Sequence, residues 1–288
     1  MSRIAFGDAG DHRVIAAAAA LAQLEGIIPV LINPGRDVTL PAGVEAVSVD
    51  AEVDPLTFLA NYVSRGDADA GIAGSLSSSA SVIRAGIRGL GTRGLVTGCF
   101  LMERHNTRTT YADCSVVPNP SAEQLADIAA AAADHHWLST GDTPLVAMLS
   151  FSTKGSAEHA AVSKVRTATK LLRKRRPDLI VEGEMQFDVA VDAEVGRRKL
   201  PDSQVAGRAN VLVFPTLDAG NIAYKVAERV GGARALGSFV LNLNKPWVDL
   251  SRGCSAQDLI DTAQLVANLH LRDVALNTDQ SERTAQAR

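Results

Sequence analysis

Cysteine is scarce in this sequence, with 3 among 288 residues, at the scattered positions 99, 114 and 254. An odd and widely spaced set does not build a disulfide framework, so we expect a protein of a reducing compartment, the cytoplasm. Aromatic residues are also few, at 4%, and neither sign of charge dominates, with 29 Lys and Arg against 32 Asp and Glu. This balance excludes a strong overall field that would attract nucleic acid or an anionic membrane.

Long hydrophobic runs and the common cofactor motifs are missing as well. The apolar stretch Val14–Leu24 is broken by Gln23 and is shorter than the ~20 residues that span a bilayer, so no membrane segment is expected. The sequence has no GxxxxGK[ST] loop, no HExxH and no CxxC pair, and we expect no metal site. Gly89–Gly94 spells GxGxxG, but it follows a helical run and precedes a strand, the reverse of the order that dinucleotide binding needs.

Short β-like runs alternate with amphipathic helical runs along almost the whole chain. Two of the β-like runs, Gly94–Met102 and Thr110–Val116, are expected to pair as an antiparallel hairpin. The alternation predicts an α/β protein with mostly parallel sheets covered by helices, in two layers of this kind. The polar, turn-rich segment Ser139–Pro144 is the expected domain boundary. A helix at Asn221–Val230 is expected to turn its apolar stripe, which starts at Ile222 and includes Val226, toward a core.

The segment Ser150–Ser156 combines hydroxyls, a lysine and a glycine between a strand and a helix predicted over Gly155–Arg176. Free N–H groups at a helix start, together with these side chains, form a potential anion cradle. The same pattern is equally typical of an ordinary strand-to-helix turn with Ser156 as the N-cap. The residues alone leave both interpretations open.

A second polar segment, Asp249–Ser255, lies between a strand and the last helix, predicted over Ser255–Leu271. Arg252 in this segment can clamp a phosphoryl group through two parallel hydrogen bonds. Asp258 follows Ser255 by three residues, which matches a helix capping box, although Asp is shorter than the preferred Glu. A capping role and a chemical role for Asp258 therefore both remain open.

Five runs in this chain resemble the signature of the phosphate acetyltransferase (phosphotransacetylase) and phosphate butyryltransferase family, in the family's order and spacing. They are Val146-Ala-Met-Leu-Ser-Phe-Ser-Thr-Lys-Gly-Ser-Ala157, Val181-Glu-Gly-Glu-Met-Gln-Phe-Asp188, Val205-Ala-Gly-Arg-Ala-Asn-Val-Leu-Val-Phe-Pro215, Ala219-Gly-Asn-Ile-Ala-Tyr-Lys225 and Asp249-Leu-Ser-Arg-Gly-Cys-Ser255. The resemblance covers residues 145–269, and the N-terminal half is similar only in short runs such as Asp11-His-Arg-Val14.

The resemblance implies two three-layer α/β/α domains with the active site in the cleft between them, a fold shared with isocitrate-type dehydrogenases. The expected first domain consists of residues 1–139 and 247–288, and residues 140–246 form a second domain inserted into it. The implied reaction is reversible transfer of an acyl group, acetyl first, between phosphate and coenzyme A. Coenzyme A is then a substrate, no cofactor is tightly bound, no metal takes part, and the chain is expected to be a homodimer.

Site residues follow from the same resemblance, position by position. Asp258 matches the base that deprotonates the coenzyme A thiol, Arg252 the arginine that holds phosphate, and Ser251 the hydroxyl that steadies the tetrahedral intermediate. The expected phosphate-binding loop comprises Ser152, Thr153, Lys154, Gly155 and Ser156. Arg13 and Arg84 align with family arginines near the substrate cleft and are candidates for coenzyme A binding.

The chain departs from the family where Trp247 and Val248 replace the usual Val-Asn before the catalytic loop. A bulky ring there is expected to reshape the acyl pocket. Two alternatives therefore accompany the main hypothesis: a butyryl or other acyl specificity, and a regulatory relative that binds acyl-CoA without catalysing transfer.

Overall fold

The computed structural model describes residues 1–35 and 38–269. The strands are β1 (Ser2–Phe6), β2 (Ile27–Ile32), β3 (Glu45–Val47), β4 (Ala70–Ala73), β5 (Thr92–Arg104), β6 (Thr107–Ala112), β7 (Leu145–Leu149), β8 (Ile180–Met185), β9 (Val211–Val213), β10 (Arg234–Leu243) and β11 (Trp247–Asp249). The helices are α1 (His12–Leu21), α2 (Pro55–Ser64), α3 (Ser79–Leu90), α4 (Ala122–Thr140), α5 (Ala160–Arg175), α6 (Phe187–Val191), α7 (Ala193–Lys199), α8 (Leu217–Arg229) and α9 (256–269). The predicted end of the last helix, Leu271, lies outside the described residues.

The first compact unit is formed by the described residues of Met1–Arg93 and by residues 243–269. Its strands lie in the order β3-β2-β1-β4-β11, and neighbouring strands pair in parallel. All four residues of β4 are buried, so both faces of this sheet are covered. Because the strands are parallel, their carboxyl ends lie at one edge, where loops that follow β1, β4 and β11 can meet.

The second unit is the continuous segment Gly94–Asn242, with strand order β10-β5-β6-β9-β7-β8. Strands β6, β9, β7 and β8 are parallel. Successive residues of β6 point to opposite faces: Thr110 contacts His136 of α4, whereas Tyr111 packs in a cluster that includes Tyr224 of α8. Helices therefore cover both faces of this sheet.

The predicted hairpin is confirmed, because β5 and β6 pair antiparallel with Cys99 opposite Ala112. The predicted domain boundary needs correction. The structure divides between Arg93 and Gly94 and between Asn242 and Leu243, rather than at 139/140 and 246/247. The Ser139–Pro144 segment is an ordinary helix-to-strand connection inside the second unit, where Gly141 ends α4 in the left-handed conformation at φ +82°.

The orientation predicted for α8 is wrong. Ile222, Val226 and Val230 are 62%, 54% and 83% exposed, whereas Tyr224 is buried and stacks on Phe100 with ring centroids 4.1 Å apart. The helix presents its tyrosine face to the sheet, where Tyr224 packs in a buried cluster with Phe100 and Leu212.

Candidate functional site

The loop 251–255 follows β11 and leads directly into α9 in the first unit. A tight turn shapes it: Cys254 N–H donates to the Ser251 carbonyl at 2.9 Å, and Gly253 N–H donates to Ser251 Oγ at 3.2 Å. Arg252 at the tip of the turn is exposed, and its guanidinium has no hydrogen-bond or ion-pair partner within residues 1–35 and 38–269. The turn thus presents a cation to solvent beside the Ser251 hydroxyl.

Asp258 lies in the first turn of α9 and forms the reciprocal capping arrangement with Ser255. Its Oδ2 accepts from Ser255 N–H at 2.9 Å and from Ser255 Oγ at 2.8 Å, while Asp258 N–H donates to Ser255 Oγ at 3.2 Å. The capping interpretation of the sequence is therefore confirmed as geometry. Asp258 as a residue is partly buried.

Arg13 contacts the same loop, but in a different way from the one expected. Its Nη1 donates to the carbonyl oxygens of Arg252 at 2.9 Å and of Cys254 at 2.7 Å. Its Nε and Nη2 contact the Asp11 carboxylate, and Nη2 also donates to the Ser75 carbonyl at 2.9 Å. A guanidinium has five N–H donors, and these contacts use them all. Arg84, the other predicted coenzyme A residue, is exposed on α3, and nothing in the described chain joins it to this loop.

Two aspartates that the sequence reasoning missed lie at the carboxyl edge of the first unit's sheet. Asp8 follows β1 and accepts from Gly74 N–H at 2.8 Å and from Ser77 Oγ at 2.6 Å. Asp249, the last residue of β11, is 3% exposed, and its Oδ1 has no hydrogen-bond partner in the described structure. Burial and, to a smaller extent, the nearby Asp8 charge raise the pKa of Asp249 to about 6, against a hydrogen bond from Ser79 that lowers it. The signal available in the sequence was that each residue follows a β-like run in an alternating α/β pattern, where the carboxyl edge of a parallel sheet is expected.

The predicted phosphate loop in the second unit encloses a carboxylate of the protein itself. Glu184 of β8 is 2% exposed and accepts from Ser152 Oγ at 2.9 Å and from Gly155 N–H at 2.8 Å. Arg166 of α5 donates to the same carboxylate at 2.9 Å. Burial opposes ionisation, but the bonds from Arg166, Gly155 and Ser152 outweigh it and lower the pKa of Glu184 to about 2. The loop does bind an anion, and that anion is Glu184.

Both interpretations of this loop assumed that the following helix begins at Gly155, but in the structure it begins later. Helix α5 begins at Ala160 with His159 as its N-cap, so Ser156 is not a cap. The Ser156 hydroxyl instead accepts from Thr153 N–H at 3.0 Å, and Thr153 Oγ accepts from Gln186 N–H at 3.0 Å. Lys154 is the one cation among the five residues predicted to bind phosphate. Its side chain is exposed, and its Nζ lies 3.8 Å from Glu182 Oε2.

Trp247 lies in the core of the first unit. It is 2% exposed, and its indole N–H donates to the Val82 carbonyl of α3 at 3.1 Å. A Cβ added at Gly86 would lie 2.7 Å from Trp247 Nε1, and one added at Gly71 would overlap the same ring. Two glycines therefore make room for the indole in the core, and Val248 beside it is also buried. The effect of Trp247 on acyl preference stays a prediction.

Residues 1–35 and 38–269 contain no cluster of three or more His, Cys, Asp or Glu side chains able to hold a metal ion. Within the same residues no helix has the length and apolar character needed to cross a bilayer.

Comparisons with known proteins agree on one family. A family model described as "Phosphate acetyl/butaryl transferase" matches residues 41–267. A phosphate acetyltransferase of Acetivibrio thermocellus is 40% identical over 246 residues, which cover 82% of this chain and 72% of that protein. One from Treponema pallidum is 42% identical over 219 residues, covering 72% of this chain and 65% of the relative. A phosphotransacetylase structure from Streptococcus pyogenes superposes with a TM-score of 0.82 at 34% identity and 94% coverage of both chains.

Proposed function

Since the chain belongs to the phosphate acetyl/butaryl transferase family, we propose that it transfers an acyl group reversibly between phosphate and coenzyme A. The proposed reaction converts acetyl phosphate and coenzyme A into acetyl-CoA and inorganic phosphate, and the reverse. The observation that carries the proposal is the segment 251–258, where the exposed Arg252 guanidinium, without a described partner, lies in a tight turn that follows the Ser251 hydroxyl and leads into the helix of Asp258.

Each group in this loop has a role in a single ternary complex. Asp258 accepts the proton of the coenzyme A thiol, and the thiolate sulfur attacks the acyl carbonyl carbon. The Ser251 hydroxyl donates to the oxygen that becomes negative in the tetrahedral intermediate. The C–O bond to phosphate then breaks, and Arg252 stabilises the leaving phosphate through charge-assisted hydrogen bonds. No acyl-enzyme is formed in this scheme.

Proton transfer from a thiol to a carboxylate is unfavourable without help. A free thiol has a pKa of about 8.5 and a free aspartate about 3.9, which is a gap of more than four units. The scheme therefore requires a cation near the sulfur, because a positive charge stabilises the thiolate. Arg252 supplies such a charge six positions before Asp258, in the turn that leads into the helix of Asp258.

The base assignment is tested with Asp258→Asn and the matched control Asp261→Asn. Asp261 lies on the same helix, where it accepts from Gln257 at 2.8 Å. Because general base catalysis contributes about 10²- to 10⁴-fold, kcat for thioester formation is expected to fall by at least about 100-fold in Asp258→Asn and to stay unchanged in Asp261→Asn. Full activity in Asp258→Asn contradicts the assignment, and equal losses in both variants indicate a structural effect instead.

Acyl preference is the finer part of the proposal, with butyryl or another chain as the alternative to acetyl. Thioester absorbance with purified protein, coenzyme A and either acetyl or butyryl phosphate measures the ratio of the two rates directly. If neither acyl phosphate yields thioester while calorimetry still detects coenzyme A binding, the transferase proposal fails and the regulatory alternative stands.

The remaining elements of the proposal concern partners and location. We place the protein in the cytoplasm as a homodimer, with coenzyme A, acyl phosphate and phosphate bound as exchanging substrates and no tightly held cofactor. Light scattering coupled to size-exclusion chromatography distinguishes a dimer from the 30.3 kDa monomer.

A further inference from the structure

Arg13 connects three segments of the first unit that are far apart in sequence. Its guanidinium contacts Asp11 two residues away, the Ser75 carbonyl 62 residues away, and the carbonyls of Arg252 and Cys254, 239 and 241 residues away. Since all five N–H donors point at these protein acceptors, none remains for a ligand phosphate. The adjacent Asp11 carboxylate would also repel a phosphate group.

Asp11 fixes the guanidinium in place. The aspartate is the N-cap of α1 and accepts from Arg13 N–H at 2.9 Å. Its side chain is 2% exposed, and Arg13 Nη2 approaches it at 2.6 Å. Although burial alone would raise the pKa of this carboxyl, its bonds to Arg13 lower the pKa overall. Because Arg13 donates to the buried Asp11 carboxylate through both Nε and Nη2, the orientation of the guanidinium is restricted.

The carbonyls that Arg13 holds belong to the residues that set the geometry of the proposed catalytic loop. One is the carbonyl of Arg252 itself, and the other, of Cys254, immediately precedes the Ser255 cap of the helix that carries Asp258. We infer that Arg13 is a positioning residue, which does not bind coenzyme A but holds the 252–254 backbone so that Arg252 and Asp258 keep their relative placement. This inference rests on the proposed function of that loop.

Cys254 provides a readout of the loop that does not depend on turnover. The chain has three cysteines, and Cys99 and Cys114 are fully buried. Labelling by a chromogenic aromatic disulfide therefore reports on Cys254, and Cys254→Ser confirms the source of the signal. The Arg13 charge lowers the pKa of the Cys254 thiol against the larger effect of burial, which raises it. Arg13→Lys keeps the positive charge but removes the guanidinium and its several N–H donors. A change in its labelling rate therefore reports a change in the mobility of the loop 251–255.

The Cys254 thiol of Arg13→Lys is expected to react roughly tenfold faster than that of the parent, because the hydrogen bond from the Arg13 guanidinium to the Cys254 carbonyl is lost. The kcat of this variant is expected to fall about 30- to 100-fold, since a misplacement of about 1 Å costs about 10²-fold. The KM for coenzyme A and its calorimetric affinity are expected to change less than about threefold. Arg88→Lys, an exposed arginine on α3, is the matched control and is expected to leave all three quantities unchanged.

An unchanged labelling rate in Arg13→Lys, or a large rise in KM for coenzyme A with kcat preserved, overturns the inference and returns Arg13 to ligand binding. If Arg13→Lys does not fold, Asp11→Asn loosens the same anchor while leaving both carbonyl contacts in place, and faster labelling is expected there too. If the parent protein has no transferase activity, the proposed function fails, but the labelling arm still decides whether Arg13 holds the loop.

Discussion

Replacing Trp247 by valine separates a structural role for the indole from a role in substrate choice. The Trp247 side chain is almost fully buried and donates to the Val82 carbonyl. Truncating a buried tryptophan costs about 3–5 kcal/mol, and valine keeps part of the packing, so about 3 kcal/mol is expected from the lost contacts. The lost hydrogen bond adds about 1 kcal/mol. Urea unfolding of Trp247→Val should therefore show a loss of about 4 kcal/mol.

The acetyl-to-butyryl rate ratio measured on folded Trp247→Val is expected to equal that of the parent, because the ring lies in the core. Gly86 supplies the control. A Cβ at this position meets Trp247 Nε1 at 2.7 Å, so Gly86→Ala should destabilise the parent and do so much less in the valine background. A shifted rate ratio with unchanged stability, or additive effects of the two substitutions, refutes the reasoning.

Two further predictions concern buried carboxylates and their pH dependence. The folded-state pKa of Asp249 is raised from 3.8 to about 6, so its stabilising protonated form is lost as pH rises through about 6. The free energy of unfolding of Asp249→Asn, measured with urea, should therefore exceed that of the parent by about 3 kcal/mol at pH 8 and equal it at pH 4. An equal increase at both pH values contradicts this. Glu184 has a folded pKa lowered from 4.5 to about 2, so its contribution is present above pH 4.5 and lost as pH falls toward 2. Glu184→Gln should cost about 3 kcal/mol at pH 7 and speed hydrogen exchange at the Gly155 amide, whereas slow exchange there would refute the Glu184 contact.

Local patterns in the sequence predicted those parts of the structure whose partners lie close along the chain. The β5–β6 hairpin was visible as two β-like runs around a polar turn, and the Ser255–Asp258 cap as a three-residue spacing. In both cases the interacting groups are separated by a few residues, so propensity and spacing carry the information.

Distant partners account for what the sequence reasoning missed. Ser152–Ser156 has the composition of an anion cradle, but the anion is Glu184, which lies 32 residues from Ser152. The family resemblance made Arg13 a candidate for coenzyme A binding, and nothing local in the sequence reveals its acceptors 239 and 241 residues away. In α8 the helical period offered two faces, and only the stacking of Tyr224 on Phe100 decides which one is buried.

Glu184 and Asp249, to which the sequence assigned no role, differ in a way that bears on function. Glu184 is buried with four donors directed at it, which makes it a structural anion. Asp249 is buried with one oxygen unpartnered in the described structure and a raised pKa, so at neutral pH it destabilises the fold. Groups kept at a cost in stability cluster at functional sites, and Asp249 lies two residues before Ser251 of the proposed catalytic loop. If Asp249→Asn gains stability and loses turnover together, the carboxyl is retained for the reaction; if it gains stability with turnover intact, Asp249 is a tolerated defect of the core.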